Sequence, residues 1–189
     1  MDEQVVTIVS GLPRSGTSMM MKMLQAGGMQ PLTDNIRTAD EDNPKGYYEF
    51  ERVKQIETDQ TWLDDAQGKV VKMISALLKP LPPAYRYKII FMRRRMEEVL
   101  ASQRKMLVRR GEPTDTIADE KMAALYQRHL AQTEAWLAEQ PNMDVLYVTY
   151  HEIIAAPREH AELINRFLGG GLDVDSMVGV VDRMLYRSK

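Results

Sequence analysis

The sequence predicts a three-layer α/β/α domain built on a mainly parallel sheet, and three observations carry that expectation. Short β-branched runs alternate with amphipathic stretches, Gly and Pro punctuate most junctions, and the first strand runs straight into a glycine-spaced loop. Residues 5–10 read as a strand buried on both faces. Residues 17–26 read as a helix stopped by Gly27-Gly28. Residues 29–46 contain Pro31 and Pro44 without a clean period, which predicts a long loop of the kind that carries function. Residues 49–65 have helical character, 69–74 look like a second strand and 87–92 like a third, with Pro80, Pro82 and Pro83 in the connection. A helix over 96–110 ends at Gly111-Glu112-Pro113, and another over 116–140 carries Met122, Leu125, Leu130, Trp136 and Leu137 near one face. A fourth strand at 145–149, a helix at 157–168, three glycines and a short helix near 175–185 complete the chain. No repeat or linker interrupts it, so residues 1–189 are expected to form one domain, with ligands at the C-terminal ends of the strands.

Composition narrows the function. The 189 residues hold 25 Lys and Arg against 27 Asp and Glu, a formal net charge of −2, and no cysteine. Disulfide frameworks, thiolate metal sites and cysteine nucleophiles are therefore excluded. The amino terminus is acidic and reaches Gly11 after a short apolar run, unlike a signal peptide or membrane anchor, so a cytoplasmic protein without a membrane partner is expected. The 14 methionines, several of them in 19–23, fit ordinary helix packing. A basic stretch at 93–110 is broken by Glu97 and Glu98 and has no aromatic residue among its cations to stack bases, so no nucleic-acid partner is expected.

Gly11-Leu12-Pro13-Arg14-Ser15-Gly16-Thr17-Ser18 lies between the first strand and the first helix, with the P-loop spacing of four residues between its glycines. Such a loop turns successive N–H groups inward, and the helix start adds about half a positive charge, which together cradle phosphate or sulfate. The lysine that follows the second glycine in nucleotide hydrolases is replaced by Thr17, and the nearby cation is Arg14. The third strand runs into Arg93-Arg94-Arg95 where a magnesium-binding carboxylate would be needed. The expected ligand carries two separated anionic groups and needs no metal.

At these residues the sequence resembles the sulfotransferases that use 3′-phosphoadenosine 5′-phosphosulfate (PAPS), a P-loop-related family with a P-loop NTPase-like fold. The family's first loop, Pro-Lys/Arg-Ser-Gly-Thr-Thr/Ser, is matched by residues 13–18, and its Arg-Asn-Pro-x-Asp-Val motif with a later Ser by Arg94 to Val99 and Ser102. Arg95 and Met96 depart from the Asn-Pro. Residues 145–153 look like the family strand that ends in Tyr-Glu-Asp-Leu, which would set Tyr150 near the nucleotide. The small bacterial members are the nearest comparison, including an Asn-Pro-x-Gly-Tyr/Phe-x-Glu segment matched by residues 43–49. The Lys-Thr-His of animal enzymes is here Lys72-Met73-Ile74, without the histidine, and the chain's His129, His151 and His160 read as structural or solvated. The closing Arg-Lys-Gly loop has no counterpart in Tyr186-Arg187-Ser188-Lys189.

The resemblance implies PAPS as donor, adenosine 3′,5′-bisphosphate as product, no metal, and a small-molecule acceptor; the oligomeric state stays open. It implies that Pro13, Arg14, Ser15, Gly16, Thr17 and Ser18 hold the 5′ side of the donor, that Arg94 and Ser102 bind the 3′-phosphate, and that Arg14 and Lys72 stabilise the leaving group. Without the histidine, the base falls among Asp34, Asp40, Glu41, Asp42 and Glu49; Glu49 is preferred, because Gly46-Tyr47-Tyr48 offers a turn and aromatic walls that exclude water. A small-molecule or nucleoside kinase of the same fold and a catalytically silent nucleotide-binding module are the rival readings.

Overall fold

A computed structural model describes residues 5–34, 48–114 and 116–181. Four strands, β1 (Val5–Gly11), β2 (Val70–Lys72), β3 (Arg86–Arg93) and β4 (Met143–Thr149), form one all-parallel sheet in the order β2-β1-β3-β4. All seven residues of β1 are buried, as a central strand covered on both faces requires. The chain steps from β1 to β2 on one side and then crosses to β3 on the other. This reversal of direction opens a crevice at the C-terminal end of β1.

Alternation along the strands feeds two cores. Val9, Ile90, Met92 and Val148 face one side, where they meet α1 (Thr17–Ala26), α5 (Tyr150–Ala155), α6 (Pro157–Phe167) and α7 (Val174–Val180). Val6, Ile8, Val71, Ile89 and Phe91 face the other, against Trp62, Leu63 and Ala66 around α2 (Leu63–Ala66) and Leu137 of α4 (Asp119–Ala138). Met20, Met21, Met23 and Leu24 of α1 are fully buried, so the helix that begins at the glycine loop is fixed along its length. Truncating one such side chain to alanine costs about 2–5 kcal/mol. In α3 (Met96–Arg110) only Glu98 and Val99 are buried, and the rest of the helix leans on α4, where the Tyr126 hydroxyl donates to Gln103 at 2.9 Å.

Two stretches differ from the sequence expectation. The segment 49–65 is not one helix: residues 48–50 have no regular structure, with Phe50 extended, a 3-10 turn covers Glu51–Gln55, and α2 is a single turn. Asp59 explains the break. Its carboxylate accepts from the Thr61 N–H at 3.1 Å and from Arg52 Nε at 2.8 Å, offering the backbone a turn in place of a helical bond. Tyr150 does not close a strand but opens α5, which ends just before Pro157, where α6 begins. Proline suits that first helical position, because its missing N–H has no helical partner to lose.

Candidate active site

The loop between β1 and α1 is shaped by close approach. A Cβ on Gly11 would lie 2.6 Å from the Met92 carbonyl oxygen, and one on Gly16 would lie 2.4 Å from Cδ2 of the Tyr150 ring. Gly16 also has φ 100°, a conformation that side chains resist. Among the described residues no side chain caps α1, whose N-cap position is Gly16, so the amides of its first turn remain directed at the crevice. Ser15 is turned inward, its hydroxyl donating to the Leu12 carbonyl at 2.6 Å, while Pro13 is exposed on the outer bend. Both residues shape the loop.

Arg14 sits at the turn with φ 67° and donates from Nε to Ser102 Oγ at 2.9 Å. Arg94 reaches the same loop, donating from Nη1 to the Arg14 carbonyl at 3.1 Å. Its guanidinium carbon lies 4.4 Å from the centre of the Tyr150 ring. Arg14, Arg94, Ser102, Gly16 and Tyr150 are thus brought together at one end of the sheet. Arg93 is not part of this group: it pairs with Glu134 at 2.7 Å and stacks on Tyr147. Arg104 pairs with Asp119, so part of the basic stretch is a helix-to-helix seam.

On the β2 side, Lys72 Nζ donates to Ser18 Oγ at 3.4 Å and stands 4.0 Å from Glu49 Oε1. The Lys72 side chain is only 13% exposed and that of Glu49 26%, so this pair lies inside the crevice rather than in solvent. Glu49 precedes the 3-10 turn instead of sitting in the first turn of a helix. Its backbone is clamped, because Thr33 Oγ1 donates to the Glu49 carbonyl at 2.9 Å and the Asp34 N–H donates to it at 3.3 Å. Asp34 uses Oδ2 to accept the Glu51 N–H at 2.6 Å, which makes it part of that clamp. The Tyr48 hydroxyl donates to Gln25 on α1 at 2.7 Å. Asp40, Glu41, Asp42, residues 43–47 of the matched segment and the tail 186–189 lie outside the described residues.

Three features had escaped the sequence reading. Glu98 is buried and its Oε2 accepts from Arg94 Nε at 2.9 Å; the four-residue steps from 94 to 98 to 102 were a signal that could have found it. Thr33 carried no signal, since its partner is a backbone carbonyl far along the chain. Ser75 Oγ and His129 Nε2 are 2.8 Å apart, joining the turn after Lys72 to α4. Burial and the nearby Lys79 charge hold the His129 imidazole below its usual pKa. His160 is structural, with Nδ1 3.0 Å from the Ala156 carbonyl.

Among the described residues, no group of three or more His, Cys, Asp or Glu is placed to hold a metal ion, and no helix is long and apolar enough to cross a membrane. The crevice instead gathers cations around an uncapped helix start, a donor set suited to phosphate and sulfate oxygens.

Residues 33–173 match the family model of the sulfotransferase family. The sulfotransferase domain of an olefin synthase from Synechococcus PCC 7002 is similar in structure, with 15% identity, a TM-score of 0.58, and coverage of 98% of this chain and 78% of that one. Sulfotransferase STF1 from Mycobacterium tuberculosis is similar at 15% identity and a TM-score of 0.57, over 97% and 72% of the two chains. A retinol dehydratase solved with androsterone and the inactive cofactor PAP is similar at 14% identity and a TM-score of 0.51, over 96% of this chain and 64% of that one. No curated protein matches the sequence. On the family match over most of its length, the chain belongs to the sulfotransferase family.

Proposed function

We propose that this sulfotransferase moves a sulfuryl group from PAPS to a hydroxyl or amine of a small acceptor, without a metal ion. The observation that carries the reading is the meeting of Lys72, Ser18 and Glu49 at the uncapped start of α1. PAPS supplies an activated sulfuryl group attached to a phosphate that serves as leaving group. The first-turn amides of α1 and the hydroxyls of Thr17 and Ser18 bind its 5′-phosphate, in a loop whose shape depends on Pro13, Ser15 and Gly16. Arg14 and Lys72 offset the negative charge that grows on the leaving oxygen. Arg94 and Ser102 bind the 3′-phosphate, and the Tyr150 ring forms the wall behind Arg94. Glu49 Oε1 accepts the proton released by the acceptor, while the Thr33 and Asp34 clamp fixes the backbone that carries the side chain.

Calorimetric titration with adenosine 3′,5′-bisphosphate and with ATP, each in chelator and in magnesium, tests this. The bisphosphate is expected to bind without metal. Arg94→Ala and Ser102→Ala are expected to weaken it about tenfold, the worth of one hydrogen bond to a charged group. Glu49→Gln should leave that affinity in place and lower kcat by about 10²–10⁴-fold. Binding of ATP alone, and only with magnesium, would defeat the proposal in favour of a kinase.

A further inference from the structure

Resting on that reading of the donor site, we propose that Glu98 is a positioning residue that aims the Arg94 guanidinium at the 3′-phosphate and so sets the preference for a 3′-phosphorylated nucleotide. Glu98 touches no ligand in this account and acts through Arg94. The pair is enclosed, with the Glu98 side chain 5% exposed and that of Arg94 12% exposed. Glu98 Oε2 takes Nε, the inner edge of the guanidinium, at 2.9 Å. Nη1 is committed to the Arg14 carbonyl at 3.1 Å, and the flat of the group lies over the Tyr150 ring. Three contacts on three sides leave one orientation for the fork. Nη2 makes no hydrogen bond within the described residues and is the donor available to an anion.

The same contacts tie the fork to the residues around the anion. The Arg14 carbonyl belongs to the loop that holds the 5′ side, and Arg14 Nε donates to Ser102 Oγ, four residues beyond Glu98 on α3. An arginine is otherwise a long side chain with many rotamers, and fixing it before the ligand arrives removes most of the ordering loss on binding. Placing a carboxylate so near an anion site carries a repulsive penalty, which is acceptable only if the geometry it imposes on Arg94 is needed. A simple tether for the start of α3 would not require a carboxylate on that edge of the guanidinium.

The test is a ratio. Dissociation constants are measured calorimetrically for adenosine 3′,5′-bisphosphate and for adenosine 5′-monophosphate, which lacks the 3′-phosphate. Wild-type protein should prefer the bisphosphate, and Glu98→Gln should cut that preference about tenfold while leaving monophosphate binding unchanged. Glu98→Asp keeps the charge but withdraws it by one methylene, so it should give a smaller fall in the same ratio, and it serves as the readout should the Gln variant fail to fold. In the Arg94→Ala background, Glu98→Gln should have no further effect on the ratio, as expected for two residues acting as one unit. Preference that survives both Glu98 substitutions, or a second full loss in the Arg94→Ala background, overturns this inference alone. A wild-type protein that binds the two nucleotides equally overturns the donor-site reading and this inference with it.

Discussion

Arg14 holds a left-handed backbone at φ 67°, a conformation that costs a residue with a side chain about 1–3 kcal/mol. The surrounding bonds explain how it persists: Ser102 takes its guanidinium and Arg94 donates to its carbonyl. Strain of this kind is found where the backbone must point its amides at a ligand, and here the next residues open α1. Gly16 shows the other limit, because no rearrangement short of moving Tyr150 admits a methyl group 2.4 Å from its ring. Gly16→Ala is therefore expected to lose about 1–3 kcal/mol of folding stability in urea unfolding, and to abolish detectable binding of adenosine 3′,5′-bisphosphate. A variant as stable as the parent with intact binding would show that the loop is not held against Tyr150. These residues were readable one by one in the sequence, since the glycine spacing, Arg14, Arg94 and Ser102 all follow a motif. Their partners were less so: Glu98 lies one helical turn beyond Arg94, a local spacing that names the pair but not its burial, and Thr33 meets the Glu49 carbonyl across a distance that only folding creates.

Elements were legible in proportion to how much of their stability is local. β1, α1 and α3 fall within a residue of expectation, for each has a continuous pattern bounded by Gly, Pro or charge. The segment 49–65 was misread because Asp59 diverts the backbone by a side-chain bond, and hydropathy alone does not register that competition. The turn after β2 depends on a tertiary contact, the Ser75–His129 pair, which anchors to α4 the chain that carries Lys72. His129 supplies a pH dependence of defined sign. Its pKa is lowered in the folded state, first by burial and then by Lys79, so the unfolded chain takes up a proton more readily. Stability is then complete above the ordinary histidine value of about 6.5 and is lost as pH falls through the folded value. Urea unfolding at pH 7.5 and 5.5 should show a larger loss for the parent protein than for His129→Gln, whose side chain bonds Ser75 without titrating. Equal losses in the two proteins would remove His129 from the account.

At the scale of the molecule, the crevice proposed to take the donor is formed by three separate parts: the loop at the end of β1, the start of α3 after β3, and the Glu49 segment beside β2. A ligand spanning the first two parts binds the folded chain and has no equivalent site in the unfolded one, so it must raise global stability. Adenosine 3′,5′-bisphosphate at one hundred times its dissociation constant adds about 2.7 kcal/mol. In a chain of this size, that corresponds to a rise in Tm of about 5–10 °C. If, as proposed, Arg14, Lys72 and Arg94 supply the charge that meets the phosphates, no metal is needed for it, so the rise should be the same in chelator as in magnesium. ATP lacks the 3′-phosphate and leaves the Arg94 corner unfilled, so at equal concentration it should give a smaller rise. A thermal shift that appears only with magnesium, or one as large for ATP as for the bisphosphate, would mean that the two anion-binding corners do not act on a single ligand.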